Sequence, residues 1–195
     1  MTTAAPPPDT TSLPSLPSTP ASLGGIARRA LYRLRQGLWA LAGGPAADDL
    51  EQAQGLLAPR LLALFRRLTP AEQSHALRVL HRLQRDGFRQ PELLTAALLH
   101  DVGKSLYPLN LWARAAIVLG HALAPGWAAR AGEGEPRSWK RAFVVARQHP
   151  TWGAALAAEA GADPGMCALI RHHQGGADST APQGLAELRN ADRES

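Results

Sequence analysis

Apolar residues recur at the three- and four-residue spacing of helices through most of the chain, and no stretch alternates convincingly between apolar and polar residues. Prolines, glycines and capping residues divide this pattern into segments. Pro59 is expected to kink or split the second segment. The pattern predicts helices at residues 26–42, 47–68, 70–85, 91–99, 109–123, 138–148, 150–160 and 164–173, and a short last helix from Pro182. The sequence therefore predicts an all-α fold, arranged as a compact helical bundle.

The first 46 residues differ from the rest of the chain. Residues 1–24 are rich in Pro, Ser and Thr and can bury little surface, so we expect a disordered tail. Residues 25–46 are interpreted as a basic amphipathic helix and a linker. Its modest apolar stripe favours packing on the domain over contact with anionic lipid. Residues 47–195 are long enough to form one domain with a core.

The apolar segment 109–123 has about 15 residues and carries Arg114 near its centre, so it is too short to span a bilayer. We predict a core helix here rather than a re-entrant or lipid-facing one. Contact with a membrane surface is thus a disfavoured alternative.

Charge and cysteine content narrow the choice of partners and compartment. The net charge of +5 is compatible with phosphate-containing partners, but no basic patch interleaved with aromatic residues indicates sequence-specific binding of nucleic acid. Cys167 is the single cysteine and cannot form an intrachain disulfide. The N-terminus lacks the pattern of a signal peptide. We therefore expect a cytoplasmic protein.

The most informative string is His100-Asp101-Val102-Gly103-Lys104, which follows the apolar helix 91–99. A carboxylate buried at the C-terminal end of a helix is unfavourable unless a cation compensates its charge. An imidazole beside a carboxylate suits borderline cations such as Mn, Fe, Co and Zn. Gly103 ends the helix and allows a close approach of backbone or ligand. The string therefore predicts a metal site.

Further candidate ligands lie before and after this string. His75 is preferred to His81 because it lies one turn inside a helix whose start, Thr69 to Glu72, has the pattern of a capping box. His149 precedes Pro150, which places it at a predicted helix start. The downstream candidates are His149, His172, His173 and Asp192.

The two adjacent histidines pose a choice. Neighbouring residues on a helix point about 100° apart, so only one of His172 and His173 need bind a given ion. We favour His172 as the ligand, while His173 binds a further ion, contacts phosphate or does neither. Asp192, taken alone, is equally well explained as a surface residue of the last helix.

Four elements in this order resemble motifs of the HD superfamily of metal-dependent phosphohydrolases. They are HDxGK at 100–104, HPxxGA at 149–154, HH at 172–173 with Gln174 where Glu is usual, and a closing element that ends in Ala-Asp at 191–192. The set of histidines is most similar to the two-metal branch that includes HD-GYP domains. The resemblance covers about residues 47–195 and implies a helical HD-domain bundle. It also implies a helical insertion at about residues 107–136, because the chain between Asp101 and His149 is longer than the family core needs. Because the other elements are present as well, the resemblance implies that Asp192 is a ligand.

The resemblance implies a site for divalent ions, with Asp101 bridging two of them. The candidate metals are Mn, Fe, Mg, Co and Zn. One shell would be completed by His75, His100 and Asp192, and the other by His149 and His172. The alternative is a site for one ion. That site would use only His75, His100, Asp101 and Asp192. Asp101 and Lys104 are the expected catalytic residues, with Lys104 stabilising charge on phosphate oxygens.

The implied function is hydrolysis of a phosphate ester in a small molecule, such as a nucleotide or a cyclic nucleotide, by a metal-activated water. No Gly-Tyr-Pro string follows His173, so hydrolysis of cyclic di-GMP is not expected. A non-catalytic HD-like module that regulates or binds a ligand is the alternative function. An all-helical protein that binds a membrane surface is a third.

Overall fold

A computed structural model of the protein describes residues 44–137, 139–175 and 181–195, and these residues contain nine α-helices, one 3-10 helix and no strand. The prediction of an all-α fold is confirmed. The predicted N-terminal tail and basic helix lie outside the described residues. The helices are α1 (Ala47–Leu56), α2 (Pro59–Phe65), α3 (Pro70–Arg85), α4 (Pro91–Leu99), the 3-10 helix (Val102–Leu106), α5 (Leu111–Leu123), α6 (Pro125–Ala131), α7 (Arg141–Glu159), α8 (Pro164–His172) and α9 (Leu185–Glu194).

Several helix ends follow from local chemistry that the sequence displays. At the start of α3 the Thr69 hydroxyl accepts a hydrogen bond from the Glu72 amide, and the Glu72 carboxylate accepts one from the Thr69 amide. This capping box satisfies two amides that no helical carbonyl can reach. Asp163 caps α8 by accepting from the amide of Gly165. The chain also breaks before Pro59, so α1 and α2 are separate helices.

One predicted boundary is wrong. The sequence predicts two helices, at 138–148 and 150–160, separated at Pro150. Instead, α7 runs without interruption from Arg141 to Glu159 with this proline inside it. Proline removes one backbone donor from a helix, and the carbonyl that loses its partner is that of Ala146. The ring of His149 lies 3.1 Å from this carbonyl oxygen and supplies a substitute donor. The helix therefore continues through the proline.

The hydrophobic core lies where α3, α4, α8 and α9 meet, with α1 and α2 closing one side. The largest fully buried apolar side chains in the described part of the chain include Phe65, Leu77, Leu80, Leu98 and Leu99. Each buried side chain of this size stabilises the fold by about 1.5–3 kcal/mol. Because α4 is buried on nearly all sides, the residues that follow its last turn are also carried into the interior.

The segment 107–136, which the sequence predicts as an insertion, contains α5 and α6, and these helices pack on each other and on α7. A small separate cluster of Ala128, Ala131 and Phe143 anchors it. The expectation of a core helix at 109–123 is wrong, because no described side chain of α5 is buried. The helix covers the bundle with one face and exposes the other. Within the described ranges, no helix combines the length and the apolar content needed to cross a membrane.

Candidate metal centre

Asp101 lies at the centre of a group of histidines, and its two carboxylate oxygens face different neighbours. Its Oδ1 atom is 3.1 Å from His149 Nε2 and 3.7 Å from His173 Nε2. Its Oδ2 atom is 3.6 Å from His100 Nε2 and 2.5 Å from Lys104 Nζ. The residue is only 4% exposed, since it follows the buried helix α4 directly. A single buried carboxylate thus separates two sets of imidazoles.

The first set, which we call cluster A, contains His75 from α3, His100 and Asp101 after α4, and Asp192 from α9. His75 Nε2 is 2.9 Å from Asp192 Oδ1, and His100 Nε2 is 3.6 Å from the same oxygen. One ligand atom from each of His75, His100 and Asp101 lies within 4.8 Å of the others. The four side chains come from three elements that share the core, so packing of that core brings them together.

The second set, cluster B, contains Asp101, His149 from α7, and His173 after α8. Their ligand atoms also lie within 4.8 Å of one another, and all three residues are buried. The two imidazole Nε2 atoms are 3.3 Å apart. Asp101 therefore belongs to both clusters.

Backbone carbonyls determine which nitrogen carries the proton in three of these imidazoles. Carbonyl oxygens only accept, so each neutral ring donates from Nδ1 and keeps a lone pair on Nε2. The Nδ1 atoms of His100, His149 and His173 lie 2.8–2.9 Å from the carbonyls of Ala97, Val145 and Ile170. This arrangement, in which Nδ1 donates to a backbone carbonyl and Nε2 keeps its lone pair, is typical of histidines that bind metal.

The free nitrogens fit a bound cation. His100 Nε2 is buried and has no hydrogen-bond partner among the described residues. In cluster B, the lone pairs of His149 and His173 approach each other across 3.3 Å beside a carboxylate oxygen. Buried acceptors without a donor between them are unfavourable, and a positive ion among them removes the penalty. Imidazole and carboxylate ligands together suit borderline divalent ions. These clusters can hold a divalent metal ion.

The ionisation of the carboxylates also favours a cation. Burial would raise the pKa of Asp101, but the Lys104 ammonium and His100 outweigh burial and hold this pKa well below its usual range. Burial likewise opposes ionisation of Asp192, yet its neighbours His100 and His75 keep the pKa of Asp192 low. Both carboxylates are therefore negatively charged near neutral pH.

The two clusters differ in how their imidazoles titrate. Burial would lower the pKa of His100, but the nearby charges of Asp101 and Asp192 raise it overall. For His149, burial lowers the pKa and the charge of Lys104 lowers it further. Asp101 raises this pKa, but by less, so the net effect is a lowered pKa. The negative field that draws a proton to His100 also attracts a metal ion, while His149 stays neutral and able to bind one.

Two glycines let the elements that carry these residues approach closely. A Cβ atom on Gly103 would lie 2.0 Å from the carbonyl oxygen of His149 and 2.8 Å from the amide nitrogen of Gly153. A Cβ atom on Gly153 would in turn lie 3.1 Å from the amide nitrogen of Gly103. The 3-10 helix thus contacts the backbone of α7 directly, which brings Asp101 within reach of His149.

The structure brings together most of the predicted ligands. His75, His100, Asp101, His149, His173 and Asp192 converge, with Lys104 at the edge. His81 lies elsewhere, with its Nε2 atom 2.8 Å from the side-chain oxygen of Gln52.

The preference between the adjacent histidines is reversed. The side chain of His172 is exposed, and its carbonyl accepts a hydrogen bond from Arg189, whereas His173 is 3% exposed and lies in cluster B. The periodicity of α8 already indicated that His173, and not His172, faces the interior. His173 follows buried Leu169 and Ile170 by four and three residues, which places it on their face of the helix.

Sequence reasoning also missed the pairing of Glu72 with α5. Arg114 Nη2 lies 2.6 Å from Glu72 Oε1, so α5 is tied to the start of α3 beside the centre. A buried Glu at the third position of a helix reads as a capping residue, and no local signal shows that it also pairs with a cation 42 residues later.

Residues 73–194 match the family model described as HD domain. This range begins just before His75 and ends just after Asp192, so it contains every residue of both clusters. The chain belongs to the HD-domain family. The family implies a place in the superfamily of metal-dependent phosphohydrolases. A search of the curated proteins and a search of the solved structures each found no match.

Proposed function

We propose that this HD-domain chain hydrolyses phosphate esters with two divalent ions, held by clusters A and B. The observation that carries the proposal is the position of Asp101, whose Oδ1 atom faces Nε2 of His149 and His173 while its Oδ2 atom faces Nε2 of His100. A carboxylate in that position is suited to bridge two cations. One ion alone would leave the other cluster's lone pairs without a partner.

The ligands divide between the two ions as the distances suggest. In cluster A they are His75, His100, Asp101 and Asp192, and in cluster B they are Asp101, His149 and His173. His172 is left out because its side chain is exposed. Bound divalent ions would supply Lewis acidity, which activates water and polarises phosphate oxygens.

Lys104 has two roles in this proposal. Its ammonium lies 2.5 Å from Asp101 Oδ2, so it orients the shared carboxylate and offsets part of its charge. Its side chain is 26% exposed, which places the remaining N–H donors at the open edge of the centre. There they can donate to phosphate oxygens of a substrate and stabilise the negative charge that develops in the transition state.

The substrate is a small molecule with a phosphate ester, such as a nucleotide or a cyclic nucleotide. The carboxylates of Asp101 and Asp192 make the empty centre negative, so the bound ions and Lys104 supply the attraction for phosphate. The Gly-Tyr-Pro string is missing after His173, and cyclic di-GMP is not proposed as the substrate.

Metal content and turnover test this function together. The purified chain, reconstituted with Mn²⁺, should hold two ions by elemental analysis and hydrolyse p-nitrophenyl phosphate. Asp101→Asn keeps the size of the side chain but removes the shared charge, so it should lose both ions and the activity. Asp86→Asn, at the exposed end of α3, is the matched control and should keep both.

Two results would contradict the proposal. One ion per chain would exclude the two-ion centre and leave a site with one metal. Two bound ions without hydrolysis of p-nitrophenyl phosphate, its diester or a panel of nucleotides would indicate a module that binds metal without catalysis.

A further inference from the structure

A pocket of about 250 Å³ adjoins the metal centre, between α5 and α7. Two of its ten lining residues, Lys104 and His149, also belong to the centre. Five are apolar: Leu109, Ile117, Val118, Val145 and Ala146. A group attached to a phosphate at the metal centre can therefore extend into a space lined by aliphatic side chains.

The charged groups along this pocket already have partners. Glu72 is buried and pairs with Arg114 across 2.6 Å, and it also accepts from the amide of Thr69. Lys104 pairs with Asp101. The remaining polar side chain of the lining, Gln174, is exposed. The interior of the pocket thus presents balanced charges and hydrocarbon.

We propose that this pocket binds a hydrocarbon group of the substrate, about the size of a butyl to hexyl chain, while the phosphate occupies the metal centre. The inference rests on the proposed function, and it narrows the substrate class to phosphate esters with an apolar group. The volume is sufficient, because a cavity of roughly 150 Å³ lined by aliphatic residues already holds benzene.

The two faces of α5 give this pocket a matched control. Ile117 and Val118 lie on the inner face and line the pocket. Trp112, Ala116 and Leu119 lie on the opposite face and are exposed, with Leu119 51% exposed. Ile117→Asn and Leu119→Asn are therefore similar changes, two residues apart on one helix, of which only the first reaches the pocket.

Binding of n-alkylphosphonates tests the inference without turnover. Methyl-, butyl- and hexylphosphonate would be titrated by calorimetry into the Mn²⁺-loaded chain. Each methylene that enters the pocket should tighten binding about four-fold, which is about 60-fold from methyl to butyl. Ile117→Asn should remove most of this gain, whereas Leu119→Asn should retain it. Hydrolysis of butyl phosphate should exceed that of methyl phosphate by a similar factor in kcat/KM.

The outcomes separate this inference from the function on which it rests. Equal affinity for all three phosphonates, with Mn²⁺ required for each, would overturn the hydrocarbon pocket and leave the phosphohydrolase intact. A gain with chain length that Ile117→Asn does not reduce would also overturn it, because the chain would then bind elsewhere. Bound Mn²⁺ without binding of any phosphonate would overturn both.

Discussion

Replacement of Gly103 by alanine adds one methyl group at the point where the 3-10 helix touches α7. The new Cβ would lie 2.0 Å from the carbonyl oxygen of His149, whereas real contacts of this kind are essentially never below 3.0 Å. The two backbones must therefore separate by about 1 Å. Neither partner is the end of a flexible side chain, so rotation of a side chain cannot relieve the overlap.

The size of the effect follows from what each backbone carries. Overpacking of a core costs about 1–3 kcal/mol, and contact with backbone on both sides places Gly103→Ala at the upper end. For a domain of this size, about 3 kcal/mol lowers the melting temperature by about 6–12 °C. Because Asp101 and His149 lie on opposite sides of the contact, we also expect Mn²⁺ to bind about 10–100-fold more weakly.

Thermal unfolding of the metal-free chain and calorimetric titration of Mn²⁺ measure the two effects separately. Gly55→Ala is the matched control, because Gly55 lies in α1 and a Cβ there meets nothing within 4 Å. That change should leave the melting temperature unchanged or raise it slightly. If Gly103→Ala melts within 1 °C of the wild type, on the order of the error of such a scan, and binds Mn²⁺ normally, the close contact that we describe is refuted.

Three further predictions concern the ligands and the helix that carries one of them. His173→Ala should lower the Mn²⁺ content from two ions to one, while His172→Ala should keep both; equal loss in the two variants would refute the assignment of cluster B. Because the folded-state pKa values of Asp101 and Asp192 are lowered, the stability they contribute is present above about pH 4 and is lost as pH falls through the folded values. In EDTA, the difference in melting temperature between wild type and Asp192→Asn should therefore shrink from pH 5 to pH 3, and a constant difference would contradict this. Thr69→Ala removes the cap of α3, should cost about 1 kcal/mol and should lower the melting temperature by about 2–4 °C; an unchanged melting temperature would show that the cap is dispensable.

Local signals in the sequence were sufficient for most helices and for the His100-Asp101 pair, whereas the choice of Asp192 depended on the family resemblance. The capping box at Thr69 and the break at Pro59 depend on neighbouring residues alone, so their structural outcome can be read from the chain. The string at 100–104 implied a buried charge that needs a cation, and the structure places Asp101 in both cluster A and cluster B. In each case the deciding interaction spans only a few residues.

The errors arose where the outcome depends on contacts between distant parts of the chain. Whether α5 is buried depends on which elements remain to cover it, and no element of the described chain covers Trp112 or Leu119. The choice of His173 over His172 depends on which face of α8 meets α7. The ion pair of Arg114 with Glu72 joins two helices whose relation is set by the whole bundle.

The proline inside α7 has a consequence for the chemistry of His149. Any other residue at position 150 would carry an amide hydrogen, and that hydrogen would compete for the carbonyl of Ala146. The imidazole would then lose one of its two anchors and gain freedom to rotate or to exchange its tautomer. Pro150 thus fixes the orientation of the His149 ring. Because the proline leaves the Ala146 carbonyl without a main-chain donor, that carbonyl accepts from Nδ1 of His149, and Nε2 points at Asp101.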